Sequence, residues 1–220
     1  MNKGLVTGGI IAVVIVGIVG AYFASTSTEN SNQDVTRTHG AVSTAMGSSI
    51  LGNPSALITI VEFGDYQCHQ CYNWFHNTKP AIFENYVDTG KANFVFVDLA
   101  FLGKDSPKAA QASYCAEDQG KYWQYHDILY NSQESEIDNG WAGPERLKAF
   151  AFSLGLDMEL FQSCLDTGKY SKRVQYNIDE AKKHGVKGTP GFFIVGPNDQ
   201  QQIGGAQPYS VFKQVMDSMI

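Results

Sequence analysis

The chain has 220 residues, 43% hydrophobic and 17% charged, with a formal net charge of −6. That acidic balance excludes the basic footprint that nucleic acid or anionic lipid requires. With an apolar N-terminal run and a polar stretch set aside, about 175 residues remain, enough for one globular domain.

Residues 1–4 precede an uncharged apolar run over residues 5–24. A run of about 20 apolar residues is long enough to cross a bilayer as a helix. Lys3 lies before it, and the acids Glu29 and Asp34 follow before Arg37, the first downstream base. This asymmetry favours an N-terminus in the cytoplasm and the rest of the chain outside. A cleaved signal peptide is the alternative. Its apolar region is usually about 7–15 residues and ends at small residues, whereas Tyr22 and Phe23 occupy those places here. Residues 25–47, rich in Ser, Thr, Asn and Gln, read as a flexible tether. A single-pass anchor with residues 48–220 as an extracytoplasmic domain is the expectation.

In that domain, residues 56–63 read as a strand that runs into Cys68-His69-Gln70-Cys71. Residues 68–87 repeat Cys71, Trp74, Phe75, Ile82, Phe83 and Tyr86 at helical spacing, with a kink expected at Pro80. A second strand spans residues 92–99, apolar almost throughout, as in a strand buried on both faces. Strand, helix, strand with such a crossover implies parallel pairing.

Helical signals follow over about 104–185. Ser106-Pro107 opens one helix and Gly120 closes it. Residues 122–130 continue with aromatics, and Gly143-Pro144 opens another helix. Asp157 caps a helix carrying Leu160, Phe161, Cys164 and Leu165, and Val174, Ile178 and Ala181 mark one more. Phe192–Val195 reads as a strand, Pro197-Asn198-Asp199 as a turn and residues 201–203 as its returning partner. Pro208 opens a last helix with Phe212, Val215, Met216 and Met219 inward. The order is an α/β sheet with a helical insertion between its halves.

Cysteines two residues apart at a helix start favour thiol–disulfide exchange. A thiolate there meets unpaired N–H groups and the positive end of the helix dipole, so its pKa falls. The same spacing also serves as half of a zinc site, which usually needs a second close pair. Cys115 and Cys164 stand alone in the sequence. They can pair as a structural disulfide in an oxidising compartment or remain two buried thiols. A bond closing a loop of about 50 residues is worth roughly 4 kcal/mol.

Three segments together resemble the DsbA-type thiol–disulfide oxidoreductases of the thioredoxin-like superfamily. They are Val61-Glu62-Phe63-Gly64-Asp65-Tyr66-Gln67-Cys68-His69-Gln70-Cys71, the helical insertion with Gln119-Gly120-Lys121-Tyr122-Trp123-Gln124-Tyr125-His126-Asp127, and Val186-Lys187-Gly188-Thr189-Pro190-Gly191-Phe192-Phe193. The resemblance implies a thioredoxin-like fold with a helical insertion and a dithiol oxidase of extracytoplasmic proteins. Cys68 would be the exposed nucleophile and Cys71 its buried partner. Pro190 would be cis, and the Thr189 backbone would pair with an extended client. Glu62 matches a buried acid that moves protons. Family members often carry proline then histidine between the cysteines; here His69 comes first and Gln70 second. His69, when protonated, can still donate to the Cys68 thiolate, so the departure bears on oxidising strength. His126 reads as a packed structural histidine.

No cofactor beyond the cysteine pair and no metal are expected. The partners implied are reduced unfolded clients and a membrane or soluble reoxidant. The alternatives are a disulfide isomerase or reductase of the same fold, and a membrane-tethered metal-binding module.

Overall fold

The structure, a computed structural model, describes residue 1, residues 35–37 and residues 42–220. The apolar run at 5–24 lies outside the described residues, as does most of the stretch at 25–47. Among the described residues no helix is long and apolar enough to cross a membrane.

Among the described residues six strands form one sheet: β1 (Val35–Arg37), β2 (Leu51–Gly52), β3 (Ile58–Gly64), β4 (Ala92–Asp98), β5 (Gly191–Val195) and β6 (Gln200–Gly204), in the order β1-β6-β5-β3-β4-β2. β3 and β4 pair in parallel, Ile58 opposite Ala92 and Gly64 opposite Asp98. The other pairings are antiparallel. Side chains alternate across a strand, so β3 feeds two cores. Ile58 and Ile60 face one, with Phe94, Phe96, Phe192 and Ile194. Val61 and Phe63 face the other, with Val95, Val97 and Phe193. A strand covered on both faces is mostly apolar, which is why its sequence reads as an apolar-rich run in which the buried Glu62 is the exception.

Helix α1 (His69–Asn77) ends at Thr78, and α2 (Lys79–Ile82) passes into a π-helical turn, Phe83–Val87. The expected single kinked helix is therefore broken. Pro80 cannot continue the ladder of α1 but fits the first turn of α2, where its missing N–H costs nothing.

The insertion comprises α3 (Ser106–Glu117), α4 (Tyr122–Asn131), α5 (Pro144–Ser153), α6 (Met158–Asp166) and α7 (Ser171–Lys183); α8 (Tyr209–Asp217) closes the fold. Asp157 caps α6 by accepting from the N–H groups of Glu159 and Leu160. That start aims Phe161, Cys164 and Leu165 inward and leaves Leu160 61% exposed. Cys115 of α3 and Cys164 of α6 are joined by a disulfide, S–S 2.02 Å.

Within the stretch expected as a tether, Val35–Arg37 pairs with Gln201–Ile203 of β6. The segment after Val42 is also fastened: Ser43 N–H donates to Glu180 Oε1 at 3.0 Å and Ser49 N–H to Glu117 Oε1 at 2.8 Å.

Candidate active site

β3 delivers the chain to a tight turn. Gly64 at its end lies so near the Phe96 ring that a Cβ would collide with it. Asp65 follows, fully buried. Its Oδ1 accepts the Gln67 N–H at 2.9 Å, and its Oδ2 accepts those of Phe101 (2.9 Å) and Leu102 (3.0 Å). The Cys68 N–H donates to Asp65 O at 2.9 Å, which closes the turn.

Cys68 is the N-cap of α1, with φ −81° and ψ 116°. In that extended conformation a side chain folds back over the free N–H groups of the first turn. The Cys71 N–H accordingly donates to Cys68 Sγ at 3.3 Å. The Cys68 thiol donates to Thr189 O at 3.2 Å. The Thr189–Pro190 peptide is cis. The two cysteines are free thiols and both are buried: Cys68, expected to be exposed, is only 6% exposed because its sulfur turns toward Thr189 O and the Cys71 N–H, and Cys71 is fully buried.

The two sulfurs differ in acidity. The Cys68 pKa is lowered to about 6; a hydrogen bond from the Cys71 thiol is the largest cause, burial opposes it, and the Thr189 hydroxyl and the N–H groups of Cys71 and Gln70 add to it. Burial pushes the Cys71 thiol well above its ordinary range, reinforced by its hydrogen bond to Cys68 and by the charges of Cys68 and Glu62.

Glu62, 1% exposed, has its pKa raised to about 8 by burial, with Lys79 opposing and Cys68 adding. Among the described residues its Oε1 has no hydrogen-bond partner. A buried carboxyl in that position stays protonated near neutrality and can give or take a proton. Lys79 is itself buried, which lowers its pKa, and its Nζ reaches Asp127 Oδ1 at 3.2 Å. His126, 1% exposed, is packed among the rings of Tyr66, Phe75, Phe96 and Tyr130. Burial lowers its pKa to about 4, so it is neutral at physiological pH.

The structure thus brings Cys68, Cys71, Glu62, Thr189 and Pro190 into one site. His69 and Gln70 are exposed on the first turn of α1. The His69 ring lies parallel to Tyr72, centroids 5.8 Å apart, and Cys68 Sγ has Cys71 and Thr189 as its partners rather than His69. Cys115 and Cys164 are held apart from the site in the α3–α6 pair. Sequence reasoning missed Asp65, Gln67, Lys79, Asp127, Gln133 and Asp138. Only Asp65 carried a local signal, an acid at the mouth of a turn.

Beside the cis-proline loop lies a cavity of about 480 Å³, lined among others by Val186, Lys187, Gly188, Thr189 and Gln202. Among the described residues no group of three or more His, Cys, Asp or Glu side chains is arranged to hold a metal ion. The arrangement can present one thiolate at a helix start, hold a second thiol protonated beneath it and exchange a proton with a buried acid.

Comparison with known proteins agrees with that chemistry. A family model described as thioredoxin matches residues 44–218. The chain is 29% identical over 199 residues to the probable disulfide bond formation protein D of Bacillus anthracis, covering 89% of each. It is 31% identical over 151 residues to disulfide bond formation protein D of Bacillus subtilis strain 168, covering 67% of this chain and 68% of that one. The crystal structure of oxidised BdbD from Bacillus subtilis superposes with a TM-score of 0.74 at 27% identity, over 83% of this chain and 97% of that one. Wolbachia pipientis α-DsbA1 gives a TM-score of 0.68 at 28% identity, over 77% and 89%. With its thiol pair at a helix start facing a cis-proline loop, the chain belongs to the thioredoxin family and is a DsbA-type protein disulfide oxidoreductase.

Proposed function

We propose that the protein is a dithiol oxidase that introduces disulfides into secreted or surface proteins, with Cys68 as nucleophile and Cys71 as its resolving partner. The observation that carries this reading is the contrast between the sulfurs: Cys68 Sγ receives the Cys71 N–H at the helix start, while Cys71 lies buried. Stabilising the Cys68 thiolate stabilises the reduced enzyme, so its disulfide is readily given away.

A client thiolate attacks Cys68 Sγ of the Cys68–Cys71 disulfide. Cys71 leaves with the bonding pair and takes a proton, for which Glu62 is the nearby buried donor. A second client thiolate then attacks the client sulfur of the mixed disulfide. Cys68 leaves as a thiolate, and the client keeps the new disulfide. Two electrons have passed to the enzyme, and a membrane or soluble oxidant must remove them. Thr189 and Pro190 form the edge against which an extended client lies. His69 and Gln70 present the exposed surface of the helix start to the client.

We place the catalytic domain outside the cytoplasm. The Cys115–Cys164 disulfide supports this, because such bonds persist in oxidising compartments. Residues 5–24 are read as a single-pass anchor, with the tether shortened to the polar residues before β1, since Val35–Arg37 and the segment after Val42 are fastened to the domain. The redox-active cysteine pair works without a further cofactor.

The test is oxidative refolding of a reduced client by stoichiometric oxidised protein, together with the equilibrium of the Cys68–Cys71 pair against glutathione. Rapid client oxidation and a pair more oxidising than about −200 mV are expected. A potential near that of thioredoxin, about −270 mV, would instead assign the protein to the reductants. A metal-binding module is disfavoured because Cys115 and Cys164 are consumed in a bond to each other.

A further inference from the structure

The turn that carries Cys68 is gripped from the helical insertion. Gln133, just beyond α4, donates through Nε2 to Tyr66 O at 2.6 Å and to Cys68 O at 3.1 Å. Those carbonyls lie on either side of Gln67. Gln67 is itself 3% exposed, and its side-chain amide is used at both ends. Its Nε2 donates to Asp138 Oδ1 at 2.9 Å and to Ser106 Oγ at 3.0 Å. Its Oε1 accepts the Asp138 N–H at 2.8 Å. Asp138 holds a φ of 60°, a conformation that residues other than glycine seldom adopt. Its carboxylate also accepts from the N–H groups of Lys104 and Asp105.

None of these groups hydrogen-bonds the sulfur of Cys68. They act on the backbone that aims it. The φ and ψ of Cys68 let its side chain reach the Cys71 N–H, and rotation of the neighbouring peptide units would carry Sγ away from that donor. Gln133 holds the unit after Cys68 through the Cys68 carbonyl and the unit before Gln67 through the Tyr66 carbonyl, while the unit between them is tied by the Cys68 N–H to Asp65 O. We propose that Gln133, with the reciprocal Gln67–Asp138 pair, is a positioning device through which the helical insertion holds Cys68 in its capping conformation. The insertion then sets the redox poise of the site, besides covering it. This inference rests on the reading of Cys68 as the nucleophile.

The experiment compares the full-length reduced protein with Gln133→Met, which keeps length and loses the donor, and with Asp138→Gly. Glycine tolerates the left-handed backbone and removes the carboxylate, so Asp138→Gly carries the test if Gln133→Met fails to fold. Three quantities are measured: thiolate absorbance against pH, the equilibrium constant with glutathione, and the melting temperature. In both variants the Cys68 midpoint should rise by ~0.5 unit or more, with an equilibrium shift of about threefold or more toward the disulfide form. Gln133→Glu, which turns a carboxylate toward the two carbonyls, should raise the midpoint further. Folded variants with a lower melting temperature but the wild-type midpoint and glutathione equilibrium would overturn the proposal, because the contacts would then only hold the fold together. A wild-type Cys68 that titrates like free cysteine would overturn the nucleophile reading itself, and that result is visible before any variant is made.

Discussion

Cys68 and Cys71 lie one helical turn apart, and the N–H of Cys71 points at the sulfur of Cys68 from 3.3 Å. The resolving residue thus supplies a backbone donor to the nucleophile it later joins. When the pair is reduced, its thiol adds a second donor. One short helix start both acidifies the outer sulfur and keeps the inner one protonated.

Replacing each cysteine separates their roles. Cys68→Ser is expected to abolish exchange. Cys71→Ser, lacking the resolving thiol, should accumulate client–Cys68 mixed disulfides that non-reducing gels followed by mass spectrometry would detect. Full oxidase activity in Cys68→Ser would contradict the mechanism.

Acidity at Cys68 is also a stability effect. The folded chain releases this proton near pH 6, whereas an unfolded cysteine holds it to about pH 9. Between those values the unfolded state binds the extra proton, so the stabilisation grows as pH rises from 6 to 9 and is lost as pH falls through 6. The reduced protein should therefore gain about 2–4 kcal/mol over that window relative to Cys68→Ser. Denaturant titrations at several pH values measure it, and parallel curves for the two proteins would argue against a stabilised thiolate.

Glu62 acts with the opposite sign. It stays protonated in the fold up to about pH 8, while an unfolded glutamate ionises near pH 4.5. Across that interval the native state holds a proton that the unfolded state has lost, so stability falls as pH rises. Glu62→Gln should remove this slope and stabilise the reduced protein by about 2–4 kcal/mol near pH 8. It should also slow client oxidation several-fold, because an amide cannot protonate the departing Cys71. Faster exchange in Glu62→Gln would rule out that proton transfer.

The disulfide between α3 and α6 spans a sequence separation of 49 residues. Paired replacement of Cys115 and Cys164 by alanine should cost about 2–4 kcal/mol of stability. The Cys68 midpoint should stay in place, since this bond is remote from the sulfur's donors. Melting curves and thiolate titration of the same sample check the two halves of the statement.

The central strands could be read directly, because burial on both faces of β3 and β4 favours runs that are mostly apolar, with Glu62, Asn93 and Asp98 as buried exceptions. The helix start at Cys68 was legible for a related reason: a capping position needs a side chain that can accept an N–H. The break at Thr78 was not, since Pro80 is compatible with either a kink or a fresh first turn. β1 escaped notice because a three-residue Val-Thr-Arg strand in a polar stretch takes its identity from β6 alone. Gln67, Gln133 and Asp138 were silent for a deeper reason. Gln67 and Asp138 are separated by 71 positions and Cys68 and Gln133 by 65, and a buried amide has no periodic signature. Only the fold shows which groups it meets.

The most direct measurement is the titration of Cys68 in the reduced protein, followed by thiolate absorbance with Cys68→Ser as the blank. A midpoint near pH 6 is expected, about two or more units below free cysteine. A midpoint between about 8 and 9, the range of an ordinary thiol, would contradict the stabilised thiolate on which the oxidase reading stands.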